Sequence, residues 1–381
     1  MKQLLVIAIA LASTTAFASR ARVTSLSNSA HIIDTQSVYS NPAKMFLMGD
    51  FVNLESGSTA TTTQDANAEG LLVRSMGDAK AGLSLGHKSE NAAAFGLRAL
   101  LVGGAGAPLA TMNVLVEQQN PLELTYGMKS GDMTWAGTLV YSNFNDKANE
   151  AKESSMGVRL GALTGAWDFS LGLGLLNTVK GKSAATIAPA GVTTGDEIEF
   201  KGTIGVSAFA GYTMNNMYYF GEVVVAGAKM ENNTTSTEMA KVDSTEITLG
   251  AVDSMKKDGN EFFYGASLVN SMVKNKTSDS ETTSLTLPVI VGLEAEATSW
   301  MVLRGSLTQT VLINNSKTEA AGVTTAETAP GANNTVAAVG TGLKFNKVTI
   351  DGTLQGLTGG AATQALNGNT LLTTVGLTYM F

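Results

Sequence analysis

From about residue 79 to the end of the chain, apolar and polar residues alternate in short segments whose connections are by turns short and long. Leu122, Leu124, Tyr126 and Met128 interleave with Glu123, Thr125, Gly127 and Lys129; Ser130-Gly131-Asp132 reverses the chain; Met133, Trp135, Gly137, Leu139 and Tyr141 resume the period of two. That period puts one set of side chains on each face of a β-strand. Tight turns recur near Thr164-Gly165, Asn215-Asn216, Lys257-Asp258-Gly259, Glu296-Ala297-Thr298 and Asn346-Lys347, where Gly and Asn tolerate positive φ. Between the hairpins lie longer polar stretches, at 145–154, 180–198, 231–243, 274–282, 314–334 and 356–369.

Hairpin after hairpin with one greasy face, and no linker between two compositions, predicts one all-β domain: a transmembrane antiparallel up-and-down β-barrel. Counting back from Phe381 gives about sixteen strands starting near Met45, with both ends on the short-turn side. Fourteen and eighteen stay open, because between Phe51 and Lys88 the residues Leu71, Val73 and the segment Ala81 to Gly86 accommodate one long strand or two short ones. Trp135, Trp167 and Trp300 all fall within a few residues of a short turn, which places them as a girdle in the headgroup layer.

Composition narrows the alternatives. After the first residues there is no run of 18 apolar residues, so spanning by helices is excluded, whereas alternating barrel strands average to a bland hydropathy. Cysteine is absent, so the fold must hold without disulfides. The 41 glycines suit strands that bend around a barrel. A net charge of −7 with no basic stripe argues against nucleic acid. Only two histidines, His31 and His87, are present, without a nucleophile elbow, so enzyme chemistry is not expected. Neither a cofactor nor a metal is expected: Gly103-Gly104-Ala105-Gly106 lacks the strand-to-helix setting of a phosphate loop, and the acidic loops lack calcium-loop spacing.

The two ends differ from the middle. Lys2, the apolar run from Leu4 to Ala12, and Ala16-Phe17-Ala18 read as a signal peptide over residues 1–18, cleaved before Ser19. The run is too short for a spanning helix, which needs roughly 20 residues. Residues 19–44 show no alternation and contain Asp34, Tyr39 and Asn41-Pro42-Ala43; they are read as a small inward plug, with the barrel over 45–381. The last segment sets Leu371, Thr373, Val375, Leu377, Tyr379 and Phe381 on one face and stops on an aromatic residue.

That ending resembles the assembly signal of bacterial outer-membrane proteins, carried here by Tyr379 and Phe381. The resemblance implies export to the outer membrane, short turns towards the periplasm and long loops outside. It also implies contact with lipid and lipopolysaccharide, delivery by the barrel-assembly machinery and, as among general porins, a trimer. Asn41-Pro42-Ala43 after a short N-terminal segment resembles the fatty-acid transport outer-membrane family, whose barrels carry an N-terminal hatch and pass hydrophobic ligands; this segment is shorter than that hatch. The low-charge, Gly-rich composition resembles the major porin-like proteins of predatory deltaproteobacteria.

Charges inside the alternating segments are the candidate functional residues: Arg98, Glu123, Lys129, Arg159, Glu222, Arg304, Lys344 and Asp351. At mid-depth on a lipid face an Arg or Lys costs about 2–4 kcal/mol, so the lumen is where they are expected. There they either polarise a constriction or simply solvate a wet interior. The leading expectation is a pore for passive diffusion of small hydrophilic solutes and ions. The alternatives are a hydrophobic-ligand channel closed by the plug, and a structural or adhesive barrel with a filled lumen.

Overall fold

The computed structural model describes residues 19–57, 67–88, 118, 120–147, 150–183, 186, 192–202, 205–310, 316–320, 323–328, 335–357 and 374–381. The expected signal peptide, Arg98, the 103–106 glycine run, Leu371 and Thr373 lie outside the described residues.

The first half of the chain supplies β1 (Phe51–Gly57), β2 (Asn67–Met76), β3 (Ala79–Leu85), β4 (Leu122–Ser130), β5 (Met133–Asp146), β6 (Ala151–Thr164), β7 (Trp167–Lys182), β8 (Glu197–Gly202) and β9 (Gly205–Met214). The second half supplies β10 (Met217–Asn232), β11 (Thr237–Lys257), β12 (Asn260–Asn275), β13 (Ser280–Thr286), β14 (Pro288–Thr298), β15 (Met301–Thr310), β16 (Ser316–Ala320), β17 (Val323–Thr328), β18 (Thr335–Phe345), β19 (Val348–Leu357) and β20 (Thr374–Met380). All pairings are antiparallel, and β20 returns to β1 in a register running from Phe51 opposite Met380 to Gly57 opposite Thr374. The sheet is therefore a closed ring.

Two positions of the ring are filled by interrupted strands, β8 with β9 between β7 and β10, and β13 with β14 between β12 and β15. The β16–β17 hairpin continues beyond β15 and pairs with β13. Among the described residues the ring has 16 strands, as the alternation predicts. Closure leaves no sheet edge, which a strand-built membrane protein requires because lipid cannot hydrogen-bond an open edge.

The period of two sorts the side chains. Along β12, Phe262, Tyr264, Leu268 and Met272 are exposed on the outside, while Glu261 and Phe263 are buried on the inside. Leu54, Leu83, Leu160, Leu249, Leu303 and Val339 extend the exposed apolar set around the ring. So much contiguous apolar surface suits lipid rather than water. Trp135, Trp167 and Trp300 are exposed at the short-turn end, Trp167 stacked on Phe169 at 5.5 Å. Asn215 and Asn346 turn the chain there in the left-handed region, at φ 55° and 54°.

Several boundaries move. Between residues 51 and 88 the open alternative resolves to two short strands, β2 with Leu71 and Val73 and β3 from Ala79, joined by a tight turn with Gly77 at φ 68°, and β1 precedes them. The turn expected at Glu296-Ala297-Thr298 lies beyond Thr298, as a bulge between Glu296 and Thr298 lets β14 run on. The polar stretches 145–154, 231–243 and 274–282 are mostly paired: β10 and β11 stay paired from Met217–Asp253 to Asn232–Thr237, with one register shift between Met230 and Glu231. Polar residues beyond the apolar belt keep their backbone partners, so the hairpins grow upward instead of opening into loops. Finally, β1 starts at Phe51; residues Pro42–Leu47 form a 3-10 helix and Met45 is fully buried.

Leu249→Arg, outside near the middle of the belt, is expected to cost about 2–4 kcal/mol in vesicles, measured by urea titration. A loss no larger than that from Thr248→Arg, its inward neighbour, would mean that the outer face does not meet lipid.

Candidate functional site

Ahead of β1 the chain forms two short helices, α1 (Arg20–Ser25) and α2 (Ser37–Ser40), and then the 3-10 helix. Asn41 caps the last of these: its side-chain oxygen accepts from Ala43 N at 2.9 Å, with Pro42 at the first helical position. This segment bonds to inward-facing residues of β1, β2, β3, β6, β7, β12, β14 and β15. A segment that touches all sides of a closed ring lies within it.

Apolar contacts hold it at two places. Val38, Ala43, Met45 and Met48 pack on Phe51, Leu71, Val73 and Ala136. Leu26 and Ile32 pack on Val252 and Phe263. Between them runs a buried ionic network. Arg22 grips Glu294 with Nε and Nη2, at 2.8 and 3.1 Å, and reaches Asp34 with Nη1 at 3.4 Å. Arg304 donates to the same Glu294 at 2.6 Å and to Asp351 at 2.5 Å. A carboxylate shared by two guanidinium groups is well satisfied in a dry site, and removal of one partner there is costly.

A second hub is Asp168. Asn41 Nδ2 donates to it at 2.5 Å, Lys44 Nζ pairs with it at 2.8 Å and Tyr218 donates at 3.0 Å. Gly161 makes room for Asn41, since a Cβ there would collide with Asn41 Oδ1. Arg159 pairs with Glu123 at 2.5 Å and donates to the Tyr39 carbonyl at 2.7 Å. Around the ring, Tyr39 stacks on His87 at 3.5 Å, Arg20 pairs with Glu69 at 2.6 Å, and His31 lies 3.0 Å from Glu261.

All these contacts lie in the short-turn half. Towards the other end the inner wall becomes apolar: Val179, Ile198, Phe200, Met230, Ala240 and Val242 face inward from β7, β8, β10 and β11, and Val192 packs on them. Two inward carboxylates, Glu222 and Glu246, lie between the two zones.

The described sequence candidates all sit at inward register, but few of them are solvated. Glu123, Arg159, Arg304 and Asp351 are buried in the pairs above. Lys344 pairs with Glu296 at 2.5 Å, and Lys129 remains exposed with its ammonium 5.8 Å from the Phe46 ring. The expectation of charges lining a wet interior is therefore corrected for the short-turn half, where protein takes the place of water. Arg22, Glu294 and Asp168 were missed. Asp168, between Trp167 and Phe169, carries the same inward signal as the residues chosen; Arg22 carries none, because its segment has no period. Tyr379 and Phe381 lie outside at the closing seam, edge to face at 5.3 Å, and Phe381 N donates to the Asp50 carbonyl at 3.0 Å.

A closed antiparallel ring, apolar outside and crossed inside by its own N-terminal segment, is a β-barrel of the outer-membrane type whose interior holds that segment. No family model and no curated protein matches the sequence. Among solved structures it is similar to the trimer form of OmpT, an outer membrane protein of Vibrio cholerae, at 10% identity over 87% of this chain and 98% of that one, TM-score 0.38. It is similar also to the toluene transporter TbuX of Ralstonia pickettii, at 10% identity over 94% and 97%, TM-score 0.40. The CymD monoaromatic hydrocarbon channel matches at 10% over 94% and 96%, TM-score 0.39. Likeness at this level adds nothing to the strand pairing described above.

Arg22→Ala is expected to cost about 3–5 kcal/mol, because among the described residues Asp34 loses its one cationic contact and Glu294 one of two. Limited proteolysis should then release an N-terminal fragment from an intact ring, and protection equal to the parent would contradict the network. Burial pushes the Asp34 carboxyl up to about 7, with Arg22 opposing. A carboxyl raised on folding contributes fully below its unfolded value of about 4 and loses that contribution as pH rises through the folded one. Hydrogen-exchange protection of residues 19–48, taken relative to the intrinsic exchange rate at each pH, should therefore be lower at pH 8 than at pH 5, and Asp34→Asn should shrink the difference.

Proposed function

We propose that this protein is an outer-membrane channel held shut by residues 19–48 and opened by their displacement, and that it passes small apolar solutes. The observation that carries closure is the set of bonds from that segment to strands on all sides of the ring. An open pore for hydrophilic solutes needs a wet path past the same residues, where Glu294, Arg304 and Asp351 are instead buried and paired. The preference for apolar cargo rests on the inward patch of Val179, Phe200, Met230 and Val242, which a hydrophilic solute would gain nothing by crossing. Residence in the outer membrane, export by a cleaved leader, delivery by the assembly machinery through Tyr379 and Phe381, and assembly as a trimer belong to this reading. The resemblance to porin-like proteins of predatory deltaproteobacteria suits the barrel and leaves its cargo open.

In planar bilayers the chain starting at Ser19 is expected to be silent or to open rarely, and deletion of residues 19–48 to give large steady steps. Steady conductance in the intact chain would establish an open pore instead; silence in both would leave a filled structural barrel. Binding of an apolar fluorescent probe should fall about tenfold in Phe200→Asp, the scale of losing roughly 1.4 kcal/mol of apolar contact.

A further inference from the structure

The segment inside the ring begins at a place built for a charge. Ser19 is completely buried and packs on Gly376 of β20 so tightly that a Cβ there would strike its side chain. Opposite Gly376 in the ladder stands Glu55 of β1, only 4% exposed, whose Oε2 would lie 2.9 Å from that same Cβ. The two carboxylate oxygens of Glu55 are used unequally. Oε1 accepts from Arg20 N at 2.7 Å and from Gln36 Nε2 at 3.4 Å. Among the described residues Oε2 is buried without a hydrogen-bond partner, as is the hydroxyl of Ser19 beside it.

A carboxylate oxygen with nothing to accept, deep in a folded interior, is costly. Glu55 stands opposite Glu69 in the ladder, and the cationic side chain of Arg20 and the ring of His87 both lie on Glu69, leaving Glu55 only the backbone N–H of Arg20 and the Gln36 amide. What Oε2 lacks among the described residues is a donor, and the residue before Arg20, Ser19, packs beside it on Gly376. Removal of residues 1–18 would create one, the α-ammonium of Ser19.

We infer that the freed α-ammonium of Ser19 docks on Glu55 Oε2 as a buried ion pair, so that leader removal itself supplies the contact that locks the plug in the lumen. Hydrolysis of the Ala18–Ser19 peptide bond by a leader-removing peptidase consumes one water, leaves the carboxylate on Ala18 and gives the amine to Ser19, which takes up a proton at neutral pH. The neighbouring oxygens of one carboxylate then receive Arg20 N–H and the Ser19 ammonium side by side. Glu55 lies four residues from the Phe51 end of its strand, roughly 13 Å at about 3.3 Å per residue, so the amine sits well inside the barrel. The inference rests on the reading of residues 19–48 as a plug and on cleavage before Ser19.

The test uses the full mature chain, beginning at Ser19, in lipid vesicles. Its α-amine is acylated with a water-soluble activated ester at neutral pH, and modification at Ser19 is followed by mass spectrometry against exposed lysines. The parent amine is expected to react at least about tenfold more slowly than in Glu55→Gln, the scale of losing a buried charge partner. A chain keeping Ala18, with Glu55 intact, should likewise show a reactive terminus and should open more often in bilayers. Equal acylation in the parent and Glu55→Gln would overturn the proposal, and so would a native mature chain starting elsewhere than Ser19. A protected amine in a chain that never conducts, even without residues 19–48, would uphold the ion pair while removing the channel reading.

Discussion

Everything here depends on the pairing of β20 with β1. A strand in lipid has no water to satisfy its peptide groups, so a row of strands is tenable only if the last finds the first. Once the ring shuts, the period of two acquires a fixed meaning: one face belongs to lipid and the other to whatever fills the interior. Leu54 and Leu377, opposite each other across the seam, point out, while Glu55, opposite Gly376, points in. The two halves of the chain thus become neighbours through backbone bonding alone.

The interior is divided between two kinds of filling. In the short-turn half it is the protein's own N-terminal segment, held by apolar packing at Phe51 and Phe263 and by carboxylates that each serve several donors. Buried ion pairs add little net stability over apolar packing of the same shape, yet they are unforgiving of displacement. A segment held mostly in this way is seated in one register, because moving it by one residue leaves several charges without partners at once. The apolar wall near the long connections offers no such registry, and suits a guest that changes.

Much of the fold was legible because alternation is a local signal. Glu261 to Asn275 needs no partner to declare which residues face in, and Asn215 and Asn346 declare their turns by backbone preference. The extent of the hairpins was less legible: the stretch 231–243 reads as a polar connection, but most of its backbone goes on pairing once the strand below is fixed. The inward orientation of Glu123, Arg159, Arg304 and Asp351 was readable; their partners were not. Arg22 and Glu294 are 272 residues apart, and nothing near either predicts the other. A segment without period, such as 19–48, takes its conformation from the cavity that receives it.

That dependence bears on the order in which the molecule can be made. Residues 19–31 bond to walls formed by β12, β14 and β15 and pack on β20, so their resting place does not exist until almost the entire polypeptide has been synthesised. Contacts so distant in sequence are slow to form, since the loop between them must close first. The first part to emerge is thus among the last to settle, and during that interval its Leu26, Val38 and Met45 have no cover. Such a chain is exposed to aggregation from its front end until its final strand is in place.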